Sequence, residues 1–90
     1  MKIFRQAADV AWNRVGDQIV ILALRPSDRQ FHELSPSASI IWQSIDGIRT
    51  PEEIAERVTE TFQVTPEEAL ADTQNFLEAL SRHGLIESSS

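Results

Sequence analysis

The sequence holds few side chains that could carry acid–base, nucleophilic or metal chemistry. The only histidines, His32 and His83, are far apart, and there is no cysteine. Zinc sites need several His or Cys ligands at short spacing, so we predict neither a metal site nor a cofactor. No serine lies in a nucleophile-elbow segment and no glycine-rich phosphate loop is present. These absences predict a protein that is not an enzyme.

Carboxylates are the remaining candidates, because residues 51–90 carry nine Asp or Glu against two Arg. Several lie in the first turns of predicted helices, where the helix dipole favours them, so we interpret most as solvated faces. Asp72 differs because it borders an apolar helical stripe. It is either a solvated flank or a hydrogen-bonding rim beside a groove.

Three β-strands are predicted in the first third of the chain. Residues 10–14 and 18–24 flank Gly16-Asp17, a pair typical of tight hairpins. The second segment is apolar without alternation, so we expect a central strand that is covered on both faces or is covered near its ends. A turn over residues 25–29, indicated by its proline, returns the chain to a third strand over residues 30–34.

Two helices follow the third strand. Ser35-Pro36 is a helix start, and the apolar spacing of the next turns predicts a tryptophan-centred stripe that ends at Asp46-Gly47. Thr50-Pro51-Glu52-Glu53 is a capping box and opens the second helix. The stripe of the first of these helices consists of Ala38, Ile41, Trp42 and Ile45.

The third helix is predicted to be the longest. Thr65-Pro66-Glu67-Glu68 repeats the capping signal, and Gly84 ends the helix in a Schellman stop with Leu85 and Ile86 folded back. We expect residues 88–90 to form a frayed tail. The apolar stripe of this helix consists of Ala69, Thr73, Phe76, Leu77 and Leu80.

The predicted fold class is α+β, winged helix-turn-helix-like, with a three-stranded antiparallel sheet followed by three helices, the last of which packs across the sheet. Ninety residues make a single domain. The N-terminus lacks the apolar region of a secretion signal and no run could span a bilayer, so we expect a cytoplasmic protein without a membrane partner. The net charge of −6 argues against a nucleic-acid partner.

The third strand is the best functional candidate, because in a three-strand meander it can be an edge. Gln30, Phe31, His32, Glu33 and Leu34 include no proline and one charge, so nothing in the strand blocks pairing with another extended chain. The alternative is an edge shielded by the last helix or by a loop. A free edge would also allow two copies to pair, which makes a homodimer a further expectation.

These residues carry a family resemblance. The segment Ile41-Trp42-x-x-Ile45-Asp46-Gly47-x-Arg49-Thr50-x-x-Glu53-Ile54, preceded by His32-x-Leu34 and followed by Phe76-Leu77-x-x-Leu80 and Gly84-Leu85, resembles the PqqD family of peptide chaperones. These proteins are also called RiPP recognition elements, where RiPPs are ribosomally made and post-translationally modified peptides. The resemblance extends over a core of about residues 10–86.

The resemblance implies a non-catalytic domain that binds the leader segment of a precursor peptide as an added strand. It assigns strand pairing to the backbone of residues 30–34, a groove wall to Thr73 and Phe76, and a rim contact to Asp72. Ala69 and Leu80, on the same helical stripe, complete the expected peptide-binding set. The implied partners are the leader peptide and a modifying enzyme, such as a radical-SAM enzyme or a leader peptidase, in a lasso-type, radical-SAM-type or pyrroloquinoline quinone pathway.

The alternative hypothesis is a winged-helix DNA-binding regulator, which the same topology suits. Its recognition helix would be the third helix, in which Glu67, Glu68, Asp72 and Glu78 stand against Arg82 alone. A phosphate backbone would repel such a helix, so the sequence favours the peptide-binding hypothesis.

Overall fold

A computed structural model describes residues 2–25 and 30–89 of the chain. It is an α+β protein with three helices and antiparallel sheets, as predicted. Residues 26–29, in which we predicted most of a turn, lie outside the described part. The elements are β1 Phe4–Gln6, β2 Val10–Val15, β3 Gln18–Ala23, β4 Gln30–Glu33, α1 Pro36–Ser44, α2 Pro51–Thr61, α3 Pro66–Arg82 and β5 Ile86–Ser88.

Strands β2, β3 and β4 form an antiparallel sheet in that order, with β3 in the centre. The predicted hairpin is present: Val15 pairs with Gln18, and Gly16 between them has a φ of 65°. A glycine with positive φ at the first central position is the pattern of a type II′ turn, whose twist matches that of the flanking strands. The chain therefore reverses tightly here, as the Gly-Asp pair indicates.

The central strand is covered more fully on one face than on the other, which corrects the expectation of cover on both. Ile19, Ile21 and Ala23 are fully buried, whereas Val20 and Leu22 are only half-buried. Successive side chains of a strand point to opposite faces, so the helices lie on the side of the first three residues. An apolar run without alternation thus gave no information about which face was covered.

A second sheet, which the sequence analysis missed, joins the two ends of the described chain. β1 pairs antiparallel with β5, with Arg5 opposite Glu87, and the Ser89 N–H donates to the Ile3 carbonyl at 2.8 Å. The prediction of a frayed tail from residue 88 is therefore wrong for Ser88 and Ser89, while Ser90 lies outside the described residues. Strands of three residues are too short to show a readable period.

Helix α1 packs against the central strand through a buried polar contact. The Ile19 N–H donates to Ser39 Oγ at 2.8 Å, and both residues are buried. Trp42, from the predicted stripe, is fully buried in the same core. The last helix was expected to cross the sheet, but α3 packs instead on α2, α1 and β5.

The predicted starts of α2 and α3 and the predicted end of α3 are present, but the capping box is complete only at α2. Thr50 Oγ1 accepts from the Glu53 N–H and Glu53 Oε1 accepts from the Thr50 N–H, so both halves of the capping box are present. At the start of α3, Thr65 Oγ1 accepts from the Glu68 N–H without a return bond from the Glu68 side chain. At the other end of α3, the Leu85 N–H donates to the Leu80 carbonyl at 2.9 Å and the Gly84 N–H to Ser81. These two bonds make the Schellman stop. Within the described residues, no helix is long and apolar enough to cross a membrane.

The connection between α1 and α2 depends on the Asp46 carboxylate. It accepts the N–H groups of Arg49 at 2.9 Å and Ile48 at 3.0 Å, and it pairs with the Arg49 guanidinium at 2.6 Å. The Arg49 N–H is the main cause that lowers the pKa of Asp46. A carboxyl whose pKa is lower in the folded protein stabilises the fold above its unfolded pKa, and this contribution is lost as the pH falls through the folded value.

We therefore expect Asp46→Asn, which keeps an oxygen acceptor but removes the charge, to lower the free energy of unfolding modestly at neutral pH. Between about pH 4, the usual pKa of an aspartate, and the lower folded pKa, the original protein should lose this contribution and the variant should not. Urea unfolding at several pH values measures both the loss of stability at neutral pH and its dependence on acid. Asp17→Asn, at an exposed position in the β2–β3 turn, is the control. Parallel acid profiles for the original and the Asp46 variant would contradict the assignment.

Candidate functional site

One side of strand β4 presents backbone groups to solvent. The Leu34 N–H donates to the Ile19 carbonyl at 2.8 Å, and His32 lies opposite Ile21. Hydrogen bonding along an antiparallel pair alternates from residue to residue. His32 and Leu34 therefore bond towards β3, whereas the N–H and C=O groups of Phe31 and Glu33 point away from it.

These outward groups are open within the part of the chain that the structure describes. Among residues 2–25 and 30–89, no acceptor is hydrogen-bonded to the N–H of Phe31 or Glu33. The other edge of the sheet, β2, is partly closed, because the Val10 N–H donates to Ala7 and the Arg14 N–H to Asn13 Oδ1. The β4 edge is thus the more accessible of the two for strand addition.

The side chains of β4 divide between two faces. Phe31, which is 63% exposed, and Glu33 lie on the outer face of the sheet. Gln30 and His32 are half-buried and Leu34 is buried, on the face towards the helices. A strand added to β4 would place alternate side chains on these same two faces, so half of them would point towards the helices.

Helix α3 turns one face towards β4. Asp72 borders a cavity together with Pro36 and Ser37, the first two residues of α1, which begins three residues after the end of β4. Further along the helix, the His83 ring lies 5.4 Å from the His32 ring, centroid to centroid. Phe76, half-buried, is four residues after Asp72 on the same side of the helix. We call the space between this face and β4 the β4–α3 groove.

The other predicted groove residues lie behind this face. Thr73 is 0% exposed, and Ala69 and Leu80 are buried members of the hydrophobic core. Their side chains support the wall of the β4–α3 groove from inside. Asp72 is exposed and Phe76 is half-buried, so these two side chains are the accessible ones among the predicted residues of α3.

The two ends of the groove differ in their chemistry. At the α1 end, a cavity of about 220 Å³ is lined by apolar side chains and carries the Asp72 carboxylate. At the other end the two imidazoles meet, and the Arg25 guanidinium donates to the carbonyls of His83 and Gly84. Arg25 is also ion-paired with Asp9 at 2.7 Å, and this hydrogen bond lowers the pKa of Asp9.

Sequence reasoning missed several of the residues that shape this groove. Their signal was weak, because they lie in separate elements that only the tertiary fold brings together. The sequence places Arg25 in a predicted turn and offers His83 only as an isolated candidate metal ligand. No group of three or more His, Cys, Asp or Glu in the described residues could hold a metal ion. The lining of the cavity that adjoins Asp72 is completed by Pro36, Ser37, Ile41, Val58, Phe62 and Val64.

The chain belongs to the PqqD family, since the family model described as "Coenzyme PQQ synthesis protein D (PqqD)" matches residues 18–86. The fold is shared with the solved structure "TbiB1 in Complex with the TbiA(beta) Leader Peptide", at 25% identity and a TM-score of 0.81, covering 92% of this chain and 94% of that chain. "Lasso peptide synthetase B1 complexed with the leader peptide" has the same fold, at 20% identity and a TM-score of 0.79, with 93% and 96% covered. A search of the curated proteins found no match.

The buried Thr73 hydroxyl gives a test of the groove wall. Within the described residues Thr73 Oγ1 has no hydrogen-bond partner, and a buried unpaired hydroxyl costs about 1–3 kcal/mol. Because valine has the same shape and a similar helix propensity, we expect Thr73→Val to raise the free energy of unfolding by about 1 kcal/mol in urea titrations.

Thr59→Val is the matched control, because Thr59 Oγ1 donates to the Glu56 carbonyl at 2.7 Å in α2. Removing a hydroxyl that is already hydrogen-bonded should be neutral or destabilising. A Thr73 variant that is less stable than the original protein would show that this hydroxyl has a partner in solution.

Proposed function

We propose that this chain is a peptide chaperone that binds the leader segment of a ribosomally made precursor peptide and presents the precursor to a separate maturation enzyme. The leader adds as a strand to the open edge of β4, and its inward side chains enter the β4–α3 groove. The observation that carries this proposal is the pair of outward-facing residues Phe31 and Glu33 beside an accessible face of α3. Membership of the PqqD family supports the same assignment.

Main-chain pairing alone gives limited affinity. Phe31 and Glu33 together offer two donors and two acceptors, and each net hydrogen bond contributes about 0.5–1.5 kcal/mol. The sum is near the roughly 4 kcal/mol of a millimolar complex, before the entropy of ordering the peptide is subtracted. Burial of leader side chains in the groove must therefore supply most of the affinity, and it also supplies the sequence preference.

The residues divide accordingly. The backbone of β4 pairs with the leader, while Phe76 and Asp72 meet its side chains. Gln30 and His32 form the floor on the strand side, and Leu34 lies buried beneath it. Ala69, Thr73 and Leu80 hold the wall in place from the core. None of these roles is catalytic, and the chemistry on the precursor belongs to the partner enzyme.

The kind of partner enzyme follows from the kind of precursor. The two solved structures of similar fold are complexes with leader peptides, and one of the two proteins is lasso peptide synthetase B1. This favours a lasso-type precursor and a leader peptidase as the enzyme that receives it. A radical-SAM enzyme is the second candidate.

The DNA-binding alternative is not supported. In α3, Glu67, Glu68, Asp72 and Glu78 are all exposed, and the exposed Arg82 lies 3.9 Å from Glu78. A recognition helix must neutralise phosphates with Lys or Arg, and an acidic helix raises the cost of approaching them. The matching family model describes a coenzyme PQQ synthesis protein, both similar structures are leader-peptide complexes, and none of the three is described as a DNA-binding regulator.

Proline substitution tests the strand-addition mechanism. We expect Phe31→Pro and Glu33→Pro each to weaken leader binding about tenfold or more, because each removes an outward donor and adds a ring at the edge, with only a small effect on stability. Isothermal titration calorimetry with each short candidate precursor peptide from the genomic neighbourhood measures the affinity.

Two control variants isolate the backbone effect. Phe31→Ala keeps the N–H and alters only a side chain on the outer face, so it should bind the leader nearly as well as the original protein. His32→Pro removes an inward bond to β3 and should destabilise the fold itself. Equal binding by Phe31→Pro and Phe31→Ala would rule out pairing at β4.

A further inference from the structure

The β4–α3 groove has an acidic end with a free carboxylate. Asp72 makes no hydrogen bond or ion pair within the described residues, and Glu68 lies one turn earlier on the same side of α3, also exposed. The cavity beside Asp72 is otherwise lined mainly by apolar side chains. This end therefore combines an apolar socket with an unneutralised negative charge at its border.

The opposite end offers nitrogen donors. His32 Nε2 lies 3.1 Å from Gln30 Oε1, and its ring is tilted by 55° against that of His83. Arg25, whose guanidinium donates to the carbonyls of His83 and Gly84, brings a permanent positive charge to this end, and Asp9 balances that charge. Glu33, the carboxylate of the described part of β4, lies on the outer face of the sheet, and Glu78 of α3 lies 3.9 Å from Arg82. An acidic guest side chain would meet the ring nitrogens of His83 and Nδ1 of His32, which have no hydrogen-bond partner within the described residues, while the nearby Asp9 carboxylate is already paired with Arg25.

The distance between the two ends of the groove determines how far apart the two charged residues of a guest peptide must lie. Asp72 and His83 are eleven residues apart on α3, which corresponds to roughly 16 Å at about 1.5 Å per residue. A strand covers this distance in about five residues, and side chains on one face recur every second residue. On the β4 side, His32 and Pro36 are four residues apart. A guest strand therefore reaches both ends with side chains about four residues apart.

We propose that the groove selects leaders by a charge pattern: a Lys or Arg at the Asp72 cavity and an Asp or Glu about four residues away at the imidazole end. This inference rests on the proposed function and specifies the chemistry of its ligand. Asp72 and the pair His32 and His83 are then the residues that determine specificity and strand direction.

A basic side chain suits the Asp72 cavity better than a purely apolar one. Lys and Arg bury their methylene stems along apolar surface and keep the charged group at the border, where a carboxylate makes a charge-assisted hydrogen bond. The volume of about 220 Å³ is sufficient, since a cavity of about 150 Å³ holds a benzene molecule. A leucine would fill the cavity but leave Asp72 without a partner.

The pattern also fixes the direction of the guest strand. The sheet that it would extend is entirely antiparallel, and antiparallel pairs are slightly more stable than parallel ones. In an antiparallel arrangement the N-terminal part of the leader lies beside the end of β4 and Asp72. The basic residue therefore precedes the acidic residue in the leader sequence.

The experiment uses two blocked synthetic peptides of alternating threonine and valine. One carries a lysine followed about four residues later by a glutamate on the threonine face, and the other carries the same two residues in exchanged positions. Both are titrated to millimolar concentration against the ¹⁵N-labelled full chain, and the amide signals of Phe31 and Glu33 are followed. We expect the first peptide to bind about two- to fivefold more tightly for each charge pair, with a smaller difference at high salt.

A charge exchange in the protein provides the second arm. Asp72→Lys should reverse the preference at the cavity, so that glutamate there binds better than lysine, and Asp72→Asn should abolish it. Glu67→Gln, an exposed carboxylate of α3 whose side chain lies outside the set that lines the cavity, is the control and should keep the original preference.

Equal binding of the two peptides, or a preference for the exchanged one, would overturn the charge pattern while leaving strand addition intact. Loss of the preference in Glu67→Gln as much as in Asp72→Asn would show that only the overall charge of α3 matters, and would also overturn it. If neither peptide shifts the amides of Phe31 and Glu33 but a candidate precursor peptide does, the charge pattern is overturned and strand addition stands. If the precursor peptide also leaves both amides unshifted, the strand-addition function itself fails, and this inference fails with it.

Discussion

The alternation of backbone hydrogen bonds along β4 is the constraint on which the site depends. A strand at the end of an antiparallel sheet satisfies every second residue internally and turns the others outward. The buried Ser39 hydroxyl makes this arrangement compatible with a helix that begins immediately afterwards. It accepts the Ile19 N–H, which the ladder would otherwise direct to β4, and the chain turns into α1 after Leu34 without leaving that donor unpaired.

The second wall of the groove is held by contacts remote from β4. The Schellman stop ends α3 after Arg82, and Arg25 binds the carbonyls of His83 and Gly84 just beyond it. β5 then pairs with β1 and packs on α3. The helix is thus fixed at the end that meets β4, whereas at its other end the cavity beside Asp72 stays open. Under the proposed function, these contacts would preorganise the β4–α3 groove for the leader peptide.

The sequence predicted the local elements well because their signals are local. Ser35-Pro36, the capping box at Thr50 and the glycine stop at Gly84 each fix one helix boundary through contacts between near neighbours. The stripe centred on Trp42 identified the buried face of α1 because it repeats at the helical period. The same reasoning found β4, since a short strand between two turn signals is recognisable without knowledge of its neighbours.

What the sequence could not supply depends on pairing between distant residues. β1 and β5 are three residues each, and they form strands only because they pair with each other although they lie at opposite ends of the sequence. The proximity of His32 and His83 and the cavity at Asp72 likewise arise from tertiary packing. Thr73 illustrates the limit on single residues: its stripe placed it on the correct helix, but only the fold shows that it is enclosed in the core.

Hydrogen exchange at β4 is the most direct measurement of the central claim. In the free protein, the amides of Phe31 and Glu33 should exchange close to the unprotected rate, while those of His32 and Leu34 should be slow. Addition of the precursor peptide should slow Phe31 and Glu33 strongly and change the other two little. If Phe31 and Glu33 are already protected in the free protein, or if a bound precursor leaves them fast, strand addition at this edge is contradicted.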